Sequence, residues 1–255
     1  MRFTSQHLDL ILFKTYANLK AEASRTYLSF LWWIVDPILS MAVYYLVFDL
    51  LLKRGTEDFV PFLLIGLTTW QWFSYTIQHG MPSIIQNNML MNQVDLPKFI
   101  FPSIIILMDF FKFSIVFTLV LLFLWIYGFE ISITYLALPY LLILQFFLIT
   151  TCTFISAAIV PFLPDLRFLI EALLHLLFFL SGIFFSPSSI DAKFRFYFYL
   201  NPIANLIDSY RKILMYNSWP DWHALFVISV FACLGVYCSY NLLKHFDHTY
   251  PKLTE

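Results

Sequence analysis

Six stretches of this chain are long and apolar enough to cross a lipid bilayer as helices: residues 30–52, 60–77, 101–127, 135–162, 168–185 and 224–243. A hydrocarbon core about 30 Å thick takes roughly 20 residues of helix, so six crossings use about 120 residues. The rest of the 255-residue chain is left for loops, ends and helices lying on the interface. Composition agrees: 60% of the residues are hydrophobic and 12% charged, against about 25% charged in an ordinary soluble domain. The fifth run is interrupted by Glu171 and His175. The expectation is an all-α membrane protein of six transmembrane helices, forming one domain over residues 1–255 with no internal repeat or linker.

An even number of crossings puts both termini on one side. That side holds Arg2, Lys14, Lys20, Arg25, Lys98, Arg167, Lys244 and Lys252; the other holds Lys53, Arg54, Lys193, Arg195, Arg211 and Lys212. Eight basic residues against six place the termini in the cytoplasm. The first apolar run, residues 8–13, is too short for a secretory signal and is followed by Lys14, Lys20 and Arg25, so the chain is expected to insert through its own first span. A net charge of −1 supplies no basic field for nucleic acid.

Ahead of the first span, Leu8, Leu12, Tyr16, Leu19, Ala23 and Tyr27 recur at three- and four-residue steps, with Lys14, Asn18 and Arg25 on another face. Residues 1–27 are therefore read as an amphipathic interface helix, or as a plain lead-in to the first span. Two loops are too long to be turns. Residues 80–98 (GMPSIIQNNMLMNQVDLPK) carry Gln86, Asn87, Asn88, Asn92, Gln93 and Asp95 between prolines, and a short exposed helix there would offer a docking surface. Residues 186–221 contain Phe194, Phe196, Tyr197, Phe198 and Tyr199 before Asn201-Pro202, and residues 203–215 then read as a short helix. Such a segment suits an interface or a partial, re-entrant dip into the membrane, sheltered by protein.

Several chemistries are missing. None of the six glycines begins GxxxxGK[ST], so the chain builds no P-loop. There is no HExxH, and Ser181-Gly182 lacks the earlier glycine of a GxSG protease. His245 and His248 have no third ligand nearby, and Cys152, Cys233 and Cys238 sit singly in apolar runs, so no metal site is expected.

Charges within spans need a reason, because each costs on the order of 2.5–3.5 kcal/mol at mid-helix. Asp109 and Lys112 are three apart and can neutralise each other. Asp36 and Asp49 can reach an interface. Glu171 and His175, four apart, either face a polar passage or bridge helices. Trp32, Trp33 and Trp125 can serve as membrane anchors. Trp70, Trp72, Phe73 and Tyr75 lie deeper, Trp70 about 15 Å along its helix. Their faces can pack in the core, meet lipid, or let the apolar faces of sugar rings slide past.

Taken in order, several segments resemble the membrane subunit of type 2 ABC exporters, in the branch that exports bacterial surface polysaccharides such as O-antigen, capsule and teichoic acid. They are RTYLSFLWWIVDPILSMAVYYLVF (25–48), GLTTWQWF (66–73), NNMLMNQVDLPKFIFP (87–102), LPDLRFL (163–169), FFSPSSI (184–190) and LNPIANLIDSYRKIL (200–214). The resemblance covers nearly the whole chain and rests on order and spacing. One departure is Phe30-Leu31, where the family often has Leu-Gly before the tryptophan.

The resemblance implies a non-enzymatic permease in the bacterial inner membrane, two copies of which pair around one passage with two copies of a separate ATPase subunit. That partner would bind the ATP and Mg, and this chain would need no cofactor. The cargo would be a lipid-linked polysaccharide threading a channel lined by Trp32, Trp33, Trp70, Trp72, Phe73, Tyr75, Phe178, Phe179 and Phe185. Gln86, Asn87, Asn88, Asn92, Gln93, Asp95 and Lys98 would couple to the ATPase. Asn201, Pro202 and Arg211 would belong to a re-entrant segment of short extracytoplasmic helices. An exporter of another lipid or a drug is a second reading. A membrane glycosyl or acyl transferase with Glu171 and His175 as an acid/base pair is a third.

Overall fold

A computed structural model describes residues 5–25, 29–47, 58–94 and 96–250. The expected C-terminal end of the first span, Asp49 and Asp95 lie outside these residues. Among the described residues there is no β-strand, and the helices run in the order α1 (Ser5–Arg25), α2 (Ser29–Tyr45), α3 (Phe59–Gly80), α4 (Ser83–Gln86), α5 (Asn88–Gln93), α6 (Ile100–Tyr127), α7 (Leu138–Ile159), α8 (Leu166–Leu180), α9 (Ala192–Tyr199), α10 (Pro202–Leu214) and α11 (Trp222–His245).

Among the described residues, three helical stretches are long and apolar enough to cross a membrane by themselves: Ile100–Tyr127, Ile133–Ile159 and Trp222–His245. The helix α3 is of spanning length but more polar, since Thr68, Thr69, Gln71, Ser74, Thr76, Gln78 and His79 interrupt it. The fifth run is shorter than expected. Helix α8 has 15 residues and stops at Leu180, because Gly182 takes φ +68°, a left-handed conformation that ends the helix and turns the chain.

Capping chemistry sets the other boundaries. Asp191 and Asp221 accept the first free amides of α9 and α11. Asn201 accepts the Ile203 amide at 3.0 Å, with Pro202 in the first turn of α10 where its missing N–H costs nothing.

Two buried clusters organise the bundle. The larger joins α3, α6, α7, α8 and α10, with Phe62, Leu63, Trp72, Phe113, Leu141, Ile207 and Tyr210 at its centre. The smaller, at the end holding α4 and α5, gathers Ile11, Ile84, Met91, Phe101, Phe154, Leu243 and Tyr250. Gln145 on α7 donates to the Thr69 carbonyl of α3 at 2.9 Å, a buried polar tie that fixes these helices in register.

Candidate functional site

One face of α3 borders two adjoining cavities. The larger, about 340 Å3, lies between the end of α1, the first half of α2, α3 and α6; the smaller, about 200 Å3, lies between α2, α3 and α8. Gln71, Tyr75 and Gln78 border both. These residues share a face because steps of three and four return a helix to the same side.

The larger cavity carries a network of charged and polar groups drawn from four helices, α1, α2, α3 and α6. The Lys112 ammonium lies 2.8 Å from Glu22 and 3.7 Å from Asp109, and 5.3 Å above the Trp33 ring. Trp33 donates from its indole nitrogen to the same Glu22 oxygen at 3.2 Å. His79 Nδ1 lies 2.8 Å from Asp109 Oδ2. Asp36 accepts from the Tyr75 hydroxyl at 3.0 Å. The expected pairing of Asp109 with Lys112 is thus one contact in a larger set, with Glu22 and His79 as the nearer partners.

In the smaller cavity, Glu171 and His175 stand among Trp70, Tyr44 and Phe178. Phe178 packs against Trp70 and Tyr44 with ring centroids 5.8 and 5.6 Å apart. Glu171 is engaged by Arg167 one turn back, at 3.2 Å.

Of the aromatic residues expected along a channel, Trp32, Trp33, Trp72 and Tyr75 line the larger cavity, and Trp70, Tyr75 and Phe178 the smaller. Phe73 is buried against Trp70 and lines neither. Phe179 is exposed on α8, and Phe185 packs against Phe198.

The segment after α8 is tied down by Asn201 and Arg211. Asn201 donates to the Ser181 hydroxyl at 2.9 Å while capping α10. Arg211 is 2% exposed and donates to the carbonyls of Phe62, Gly182 and Ile183 at 2.6–3.2 Å. This one side chain therefore joins α10, the turn after α8 and the first turns of α3.

At the opposite end, residues 80–98 form two short helices rather than one. Gln86 and Gln93 are exposed, and Asn87 and Asn88 are half-buried; Asn87 donates to the Ser83 carbonyl. The Asn92 side chain lies outside the description. Lys98 is 2% exposed, and its backbone amide donates to the Asp247 carboxylate at 2.7 Å. Tyr250, fully buried, donates to the Ala158 carbonyl and packs on Phe162.

Sequence reasoning did not single out Glu22, Gln71, His79, Asp247 or Tyr250. The signal for Gln71, Tyr75, Gln78 and His79 is present as a stripe on a helix too polar to face lipid all round. No local pattern brings Glu22 to Lys112, 90 positions away. Among the described residues, no three His, Cys, Asp or Glu side chains group to hold a metal ion.

Long apolar helices, a polar-aromatic groove between them and a folded polar loop at one end describe a multi-pass helical membrane protein. The family profile described as ABC-2 type transporter matches residues 13–215, and the chain belongs to that family. Membership implies partnership with an ATPase subunit. The chain is 26% identical over 208 residues to an O-antigen export system permease protein RfbA of Klebsiella pneumoniae, covering 81% of this chain and 80% of that protein. It is 25% identical over 241 residues to the protein of the same name in Myxococcus xanthus, covering 94% and 93%.

Proposed function

We propose that this chain is the membrane subunit of an ATP-driven exporter that moves lipid-linked polysaccharide, O-antigen or a similar surface glycan, across the bacterial inner membrane. The observation that carries this reading is the α3 face, where aromatic rings and amides border two adjoining cavities. Flat rings support the apolar faces of sugars, and amides and hydroxyls exchange hydrogen bonds as successive rings pass. The names of the two relatives point to the same cargo.

In this reading the chain crosses the membrane six times with both termini cytoplasmic. Two copies face each other around one passage, since a closed pair is the simplest way to enclose a glycan with few helices. Helices α4 and α5 meet the ATPase through the exposed side of Gln86 and Gln93. ATP binding drives transport because the ATPase binds two packings of the permease with different affinity. Affinity purification of the tagged chain from its own cell tests the assembly. The expected product holds two permease and two ATPase chains, and replacing Gln86 and Gln93 by Ala lowers ATPase recovery. A folded permease purified without any ATPase would overturn the reading.

A further inference from the structure

Counted over its described lining residues, the larger cavity holds more carboxylates than cations. Among its described lining residues are Glu22, Asp36 and Asp109 against Lys112 and His79. Lys112 is shared by two of these carboxylates, and His79 Nδ1 faces Asp109, so both cations already have carboxylate partners and the third carboxylate is left in excess. Asp36 is exposed, and Tyr75 donates to only one of its oxygens, Oδ2. An ionised carboxylate has about four acceptor positions, so Asp36 can take hydroxyl donors from a ligand. Trp32, Trp33 and Tyr75 supply ring faces in the same space.

Two buried polar groups also lack partners there. Thr69 and Thr76 donate their hydroxyls to carbonyls one turn back, at 2.8 Å each. Thr68 Oγ1 has no hydrogen-bond partner among the described residues, and neither has Trp72 Nε1. Both residues are at least 95% buried and both line the cavity. A buried polar atom left without a partner is costly, and a hydroxyl-rich ligand or water at this wall would relieve it. About 340 Å3 is at the lower end of the range for small-molecule pockets.

We infer that this cavity is a subsite for uncharged sugar residues, so that the exporter takes neutral glycans in preference to glycans bearing uronate or other acidic groups. The inference rests on the polysaccharide reading and narrows its cargo. Aromatic faces and acceptor carboxylates suit sugar hydroxyls, whereas an acidic sugar in the same space meets an excess of like charge among the described lining residues.

The test uses the full chain in lipid nanodiscs, titrated at low salt with maltoheptaose or with an oligogalacturonate of equal length, read by tryptophan fluorescence. The neutral oligomer is expected to bind saturably and the acidic one at least tenfold more weakly. Asp36→Asn and, separately, Glu22→Gln should each narrow that gap; two variants are used so that misfolding of one does not decide the result. Added salt should narrow it as well. Equal or tighter binding of the acidic oligomer, no binding of either, or a gap unmoved in both folded variants overturns the inference. Polysaccharide export is judged separately, by surface glycan in a strain lacking the chain. Lost surface glycan together with equal binding of the two oligomers therefore defeats the subsite alone.

Discussion

Arg211 and Phe62 are joined twice: the guanidinium carbon lies 3.3 Å from the Phe62 ring centroid, and Nε and Nη2 both donate to the Phe62 carbonyl. The same guanidinium holds Gly182 and Ile183. Arginine suits this position because its planar fork presents several donors at fixed angles, which a lysine ammonium cannot reproduce. Arg211→Met removes charge-assisted hydrogen bonds worth about 1.5–3 kcal/mol each and leaves carbonyls exposed to an apolar core. A loss of about 3 kcal/mol or more is expected, read as a lower unfolding midpoint in detergent, with Arg211→Lys recovering only part of it.

Gly66 makes room for that arginine. A Cβ at this position would come 2.6 Å from Arg211 Nη2. The guanidinium is pinned by three carbonyls and cannot swing away freely, so Gly66→Ala is expected to destabilise by about 1–3 kcal/mol through overpacking. In the Arg211→Met background the clash disappears. The two effects should therefore sum to less than their separate values in a double-mutant cycle. Full additivity would mean that the glycine serves something other than the arginine.

How much of this could be read from the chain itself differs by element. The helices over 60–77, 101–127, 135–162 and 224–243, the helix after Asn201-Pro202 and the folded loop at 80–98 are legible, because length, proline and capping residues are local signals. The break at Gly182 was not, since an apolar run looks continuous until a positive φ interrupts it. The aromatic residues were visible as a group, but composition does not say that Trp72 and Tyr75 border a cavity while Phe73 packs behind them. The partners of Lys112 and Lys98 depend on contacts 90 and 149 positions away, with Glu22 and Asp247. Such pairs follow from the assembled fold.

The tail braces the loop at the α4–α5 end. Asp247 holds the Lys98 amide, and Tyr250 holds the Ala158 carbonyl in the last turn of α7. Losing one such hydrogen bond costs about 1 kcal/mol, which raises the population of the opened loop roughly fivefold. Asp247→Ala should therefore speed tryptic cleavage after Lys98 by about that factor, and pairing it with Tyr250→Phe should speed it further. An unchanged cleavage rate in both variants would remove the tail from this role.

The most direct test of the exporter reading is where finished glycan resides in a strain from which this chain alone has been deleted. Antibody or lectin against the strain's own surface polysaccharide is applied to intact and to permeabilised cells. Export by this subunit predicts signal lost from intact cells and present after permeabilisation, restored by the wild-type chain. Undiminished surface polysaccharide in the deletion strain would contradict it.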